Sequence, residues 1–415
     1  MTSLSADWVL PVDGPPIPEG RVTWEDGRIV DVGPGRAARH LDEAVILPGL
    51  VNAHTHLEYA VYAGFGDGLE FARWLALHVE RKSRIGVGEM EAIARLGAAE
   101  CLAAGITCVG DASYSGAAAT ACAELGLRAT VYLEVFGPGT EQLETRFAAH
   151  RDRVAGDLSD RVRLGISPHS PYTAPLELWQ ACAALGLPIA THIAETKAEV
   201  EWSRLGRGPL PGVRPTSVRE LAEAGVLTER VAAAHCVYLD DGEIALFARA
   251  GVAAVHCPRS NALLGSGIAR LAELRAAGVR VGIGTDSPAS TPSYDLFEEL
   301  RAAIYFARAR ERRPDALSAE DALRLATIDG ARALGLETEI GTLTPGKRAD
   351  ILALSLAGSP YHPVEDPAAA VVFAGSPGRV LETVVDGITR YRQGEDAWHE
   401  VRSTASAARA RLLTP

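Results

Sequence analysis

Two histidines one residue apart, His54 and His56, close the apolar run Leu47-Pro48-Gly49-Leu50-Val51-Asn52-Ala53. Alternate side chains of a β-strand share a face, so the two imidazoles project together. Two imidazoles on one side of a strand end can grip one metal ion. Taken alone, the pair reads equally well as two ordinary histidines in a turn. Other groups able to bind metal or carry protons stand in comparable places: His192 and Glu195 in Thr191-His192-Ile193-Ala194-Glu195, His235 in Ala234-His235-Cys236, and Asp286 in Gly284-Thr285-Asp286-Ser287. Each has a plainer explanation. A strand-end aspartate often caps a helix, an acid in a first helical turn suits the helix dipole, and a strand-end histidine is often a hydrogen-bonded core residue. Their coincidence at successive strand ends favours one shared site.

The elements that must position these groups alternate between strand and helix. Apolar strand candidates are 50–56, 107–112, 130–135, 162–167, 188–192, 231–235, 252–256 and 281–285, and Ala/Leu/Glu/Arg-rich segments such as 89–104 and 296–308 carry helical spacing between them. Eight strands alternating with helices predict a (β/α)8 TIM barrel over 49–337, whose chemistry lies at the C-terminal strand ends. A doubly wound sheet is the alternative, but no Gly-x-Gly-x-x-Gly follows the first strand. The ends differ from the middle. Strand-like segments 21–24 and 28–32 flank the turn Asp26-Gly27, and 349–354 and 380–385 precede a second turn at Asp386-Gly387. These predict a small β-sandwich domain built from both termini, 1–48 plus 338–400. Residues 401–415 read as a plain surface helix and tail.

Composition bounds the rest. A chain of 415 residues with 47% hydrophobic and 23% charged residues is ordinary for a soluble enzyme. The net charge of −12 argues against a nucleic-acid partner. No apolar run reaches membrane-spanning length, and the N-terminus lacks the pattern of a signal peptide. The 6 cysteines are scattered and read as reduced, buried residues of a cytoplasmic protein. Homo-oligomerisation is left open.

The strand-end pattern resembles the amidohydrolase superfamily: His-x-His after strand one, histidines after strands five and six, and aspartate after strand eight. The segment Gly341-Thr342-Leu343-Thr344-Pro345-Gly346-Lys347-Arg348-Ala349-Asp350 is similar to that family's entry to its β-sandwich. His192-Ile193-Ala194-Glu195 and His256-Cys257-Pro258-Arg259-Ser260-Asn261 resemble the nucleobase and nucleoside deaminases. Ser167-Pro168-His169-Ser170-Pro171-Tyr172 resembles the S-adenosylhomocysteine and 5′-methylthioadenosine deaminases, and His54-Thr55-His56-Leu57-Glu58 the aminodeoxyfutalosine deaminases of menaquinone biosynthesis. The cytidine-deaminase design fails, because no Pro-Cys-x-x-Cys exists.

The resemblance implies one divalent metal held by His54, His56, His192 and Asp286, since strand four offers His169 and no bridging lysine. Zinc suits this set first; iron and manganese are alternatives. Glu195 is then the general acid/base that protonates the ring nitrogen beside the attacked carbon. His235 and Asp286 orient the attacking water. Glu58 and His169 are the expected substrate contacts, Glu58 because it continues the alternation of His54 and His56 and so faces the mouth, where a ribose diol could meet it. A surface salt bridge is the plainer reading of Glu58, and a core histidine that of His169. Tyr59, Tyr62, Phe65 and Trp74 either wall a pocket for flat substrates or pack a loop. Arg259 reads as a substrate-carboxylate ligand or, more plainly, a surface arginine, and His256 as structural. The expected activity is hydrolytic deamination of an adenine-type ring, a 5′-modified adenosine such as 6-aminodeoxyfutalosine. S-adenosylhomocysteine, methylthioadenosine, guanine, cytosine, a triazine or a cyclic amide are alternative substrates, and a non-catalytic assembly subunit is the remote alternative.

Overall fold

In a computed structural model, residues 1–395 and 398–413 are described. Eight strands form one all-parallel sheet in sequence order: β5 (Leu50–Thr55), β6 (Ile106–Ser113), β7 (Arg128–Val135), β8 (Val162–Pro168), β9 (Ile189–Ile193), β10 (Val231–His235), β11 (Ala253–His256) and β12 (Arg280–Ile283). Val51, Ala53, Cys108, Tyr132, Ala190, Ala232, Ala253 and Val255 pack together as one buried cluster inside the ring. Small residues dominate this layer, as a narrow barrel interior demands. The ring closes where Thr55 bridges Asp286 and the Asp286 N–H donates to the His54 carbonyl at 3.0 Å. Gly284 permits that approach, because a Cβ there would stand 2.6 Å from the His54 carbonyl oxygen.

The remaining seven strands are β1 (Thr2–Val9), β2 (Ile17–Glu25), β3 (Arg28–Pro34), β4 (His40–Pro48), β13 (Ile351–Ser355), β14 (Val380–Val385) and β15 (Ile388–Arg392). They form one sheet in the order β15-β14-β13-β4-β1-β2-β3, so strands from both ends of the chain interleave. The sheet curls so that β2 and β3 approach the β14–β15 turn and the segment before β13. The Trp24 indole N–H reaches the Gly387 carbonyl at 3.0 Å, and the Ile29 N–H reaches Lys347 at 2.8 Å. Leu4, Val22, Ile46, Ile351 and Val384 fill the space enclosed. The sandwich expected from the sequence is therefore one continuous sheet folded over its own core. Arg128 at the start of β7 joins the two units, pairing with Asp350 at 2.8 Å and with Asp386.

The last helix, His399–Leu413, is not a plain surface helix. It buries Ala405, Ala408 and Leu412, and Arg409 donates to the Val61 and Ala63 carbonyls in the loop after β5. The six cysteines are all free and buried. Among the described residues no helix is long and apolar enough to cross a membrane.

Candidate active site

The C-terminal strand ends bring four side chains together. One ligand-type atom from each of His54, His56, His192 and Asp286 lies within 4.8 Å of the others, and all four residues are buried. Asp286 Oδ1 stands 3.6 Å from His54 Nε2 and 3.3 Å from His56 Nε2. Three of the four are aimed by their other polar atom. His56 Nδ1 donates to the Ala112 carbonyl and His192 Nδ1 to the His169 carbonyl, both at 2.8 Å. Asp286 Oδ2 accepts from Ser260 Oγ at 2.7 Å and Ser290 Oγ at 2.6 Å. Such outer contacts fix tautomers and point the remaining atoms inward.

These atoms fit a divalent ion. His56 Nε2 and His192 Nε2 face each other at 3.2 Å, and His54 Nε2 is buried without a hydrogen-bond partner. With both Nδ1 atoms donating, two ring lone pairs would confront each other unless a positive charge lies between. Electrostatics agree. Burial pushes His54 down to about 4, and burial with the surrounding imidazoles holds His192 well below its usual range. Burial opposes a charge on His56 as well, but Asp286, Glu134 and Asp111 together lift it to about 9. The carboxylates around the cluster favour one positive charge within it, which a metal would supply in place of a proton. Three nitrogen donors and one carboxylate oxygen suit zinc, with iron and manganese compatible.

Glu195 and His235 stand beside this cluster, with Glu195 Oε2 and His235 Nε2 4.0 Å apart. Burial raises the Glu195 carboxyl, and His235 only partly offsets it. Burial would lower His235, but the Glu195 and Asp286 charges raise it. Both shifts favour keeping a proton on this pair. His235 Nδ1 meets Asn261 Oδ1 at 2.9 Å, which leaves Nε2 facing Glu195. Glu199 accepts the backbone N–H groups of Ala194 and Glu195 at 2.8 and 2.9 Å. Ala194, His235 and Asp286 hold positive φ angles of 52°, 72° and 59°. Non-glycine residues adopt that conformation at a cost, and it concentrates at working sites.

Ser260, Ser290, Asn261 and Glu199 were not singled out from the sequence. Asn261 lies within the quoted 256–261 motif, and Glu199 sits three residues after the N-cap Thr196, a capping pattern visible in the sequence.

Two expectations need correction. Glu58 does not continue the alternation. The chain leaves strand geometry at His56 and enters a 3₁₀ turn, Leu57–Tyr59. The Glu58 carboxylate turns toward the segment after β6, where it accepts from Ser113 Oγ, both the N–H and Oγ of Ser115, and the Ala117 N–H. It is buried and fully engaged there, so neither a surface salt bridge nor a mouth-facing carboxylate describes it. Arg259 is likewise committed. It pairs with Glu299 at 2.6 Å and Glu298 at 2.5 Å and donates to the Ser293 carbonyl.

His169 stands at the end of β8, its ring 4.8 Å from that of His192, with Nδ1 at 2.9 Å from Thr173 Oγ1. Tyr59 approaches His56 at 5.7 Å between ring centroids, whereas Tyr62 and Phe65 are buried and pack against each other. Trp74 lies against His78. His256 is buried outside the metal-type cluster.

Known proteins are similar to this chain in sequence and fold. The profile of the amidohydrolase family matches residues 45–389. A 5-methylthioadenosine/S-adenosylhomocysteine deaminase of Symbiobacterium thermophilum is 35% identical over 98% of this chain and 97% of its own. A 5′-deoxyadenosine deaminase of Methanothermobacter thermautotrophicus is 36% identical over 92% of each. The crystal structure of an adenosine deaminase from Xanthomonas campestris with bound zinc superposes with a TM-score of 0.89 at 29% identity, covering 99% of this chain and 98% of that one. A closed parallel barrel, an inserted ligand set at its strand ends and a family match across most of the sequence converge on one assignment: the chain belongs to the amidohydrolase family, in its deaminase branch.

Proposed function

We propose that this protein is a hydrolytic deaminase of 5′-modified adenosines that works with one divalent metal, zinc first. The reading is carried by the placement of buried Glu195 and His235 against the His54, His56, His192 and Asp286 cluster, in a chain similar over nearly its whole length to deaminases of such nucleosides.

His54, His56, His192 and Asp286 would hold the metal, which when bound would supply an activated water at neutral pH. Glu195, its carboxyl raised by burial, holds a proton for the ring nitrogen beside the amino-bearing carbon. Delivering that proton lets the ring accept the incoming oxygen without accumulating charge. Asp286 keeps Oδ1 toward the reacting centre because Oδ2 is occupied by Ser260 and Ser290. His235, fixed by Asn261, orients the water, and the proton the water gives up to Asp286 is passed to the departing amine, which leaves as ammonia. His169 borders the same space and offers a contact to the bound ring.

Close to Glu134, aromatic faces carry cations. Lys82 Nζ lies 4.0 Å from the Tyr114 ring centre and 4.5 Å from that of Tyr59, and the Arg146 guanidinium lies 4.4 Å from that of Phe136. This wall suits a flat or anionic 5′ substituent, which keeps the aryl-bearing 6-aminodeoxyfutalosine beside S-adenosylhomocysteine among the substrates. The test is a panel of 5′-deoxyadenosine, methylthioadenosine, S-adenosylhomocysteine, 6-aminodeoxyfutalosine, adenine, guanine and cytosine, followed by ammonia release. At least one 5′-modified adenosine should exceed every free base in kcat/KM. A free base that outperforms all ribosides overturns the nucleoside reading, and no ammonia from any of them overturns the deaminase reading.

A further inference from the structure

Ten carboxylates of this chain are buried among the described residues, and nine have evident partners. Eight accept hydrogen bonds: Glu58, Asp111, Glu199, Asp286, Asp295, Glu299, Asp350 and Glu382. Glu195 faces His235. The tenth is Glu134. It is 3% exposed, and no donor of the described residues reaches its side chain. Burial opposes its charge, but His169, His56, Lys82 and Arg146 more than offset that and hold the carboxyl below its usual range. Its oxygens are not among the fully enclosed unpartnered atoms, so they stay open to accept a donor from outside the chain.

The fold shows where that carboxylate points. Tyr132 of β7 belongs to the cluster inside the barrel, and Glu134, two residues on, shares its face one step nearer the mouth. Its carboxylate lies within 4.8 Å of a ring nitrogen of both His169 and His192. Lys82 and Arg146 stand nearby on their aromatic rings, but neither forms an ion pair with it. Glu134 therefore borders the reaction chamber on the His169 side, with both oxygens uncommitted.

Resting on the nucleoside reading above, we propose that Glu134 reads the sugar of the substrate, its two oxygens accepting the 2′- and 3′-hydroxyls of the ribosyl group. A carboxylate only accepts, and two free oxygens on one carbon match two donors on adjacent carbons. A cationic or single-donor group would need only one oxygen. The role expected of Glu58 passes to Glu134, because the Glu58 oxygens are already taken by Ser113, Ser115 and Ala117.

The test compares 5′-methylthioadenosine, its 2′,3′-dideoxy analogue and free adenine on the metal-loaded enzyme and on Glu134→Ala and Glu134→Gln. The unaltered enzyme should prefer the diol over the dideoxy compound by at least about 10²-fold in kcat/KM, since a site built to bond hydroxyls rejects analogues that lack them. In Glu134→Ala the preference should fall to within about threefold, with activity on the dideoxy compound little changed. Glu134→Gln should retain part of it, because the amide oxygen still accepts one hydroxyl. Metal content and Tm of both variants should match the parent, which separates a sugar contact from a structural role. A Glu134→Ala variant that loses activity equally on both nucleosides, or a parent with no diol preference, overturns the proposal and leaves the nucleoside reading standing. Free adenine outperforming the riboside in the parent removes both.

Discussion

Glu195 owes its acid–base character to burial. It lies three residues past His192, is shielded from water, and is held in place through backbone bonds to Glu199. Glu195→Gln preserves size and removes the exchangeable carboxyl proton. Turnover should fall by at least about 10²-fold on the best substrate, while elemental analysis still finds about one divalent metal per chain. Near-normal turnover would reduce Glu195 to a residue at the start of a helix. Residue type and strand-end position made His54, His56, His192, Glu195, His235 and Asp286 legible in the sequence. Asn261, Ser260, Ser290 and Glu199 were not, because each acts through a partner that only tertiary folding supplies. Glu134 was hidden for a different reason: nothing in the sequence distinguishes an acid that finds donors from one that does not.

At the level of elements, the eight barrel strands lie where apolar runs put them, within a residue or two at most ends. The missed strands, β1, β4 and β15, mix small, polar or charged residues with their apolar ones, and their strand character depends on pairing: β1 with β4, β4 with β13 and β15 with β14. The misplacement of Glu58 came from extending a strand's alternation past its end at Thr55 into the turn Leu57–Tyr59. Its carboxylate instead anchors the turn between β6 and the helix Ala117–Leu125. Glu58→Ala would leave the donors of Ser113, Ser115 and Ala117 unpaired in a buried place. The expected cost is about 1–3 kcal/mol, read as a lower Tm, with activity per folded molecule falling alike on ribosides and free bases. A riboside-specific loss at unchanged Tm would return the sugar contact to Glu58.

At the scale of the whole molecule, barrel and curled sheet are fastened by Arg128, whose side chain is 4% exposed between Asp350 and Asp386. Arg128→Met would strand the Asp350 carboxylate, itself 2% exposed, without its counter-ion. Removing one member of such a buried pair costs about 3–5 kcal/mol. Denaturant unfolding should show this as a lower midpoint, with kcat of the folded fraction preserved because the pair lies away from the ligand cluster. An unchanged midpoint would mean that packing alone joins the two units. The strand order of that sheet also bears on how the chain is made. β4 pairs with β13, which follows it by roughly 300 residues. At about 5–20 residues per second on a ribosome, the first four strands wait on the order of 15 to 60 seconds with the β4 edge exposed. During synthesis the barrel must form behind an unfinished sheet, and the nascent N-terminal segment is where a chaperone has most to protect.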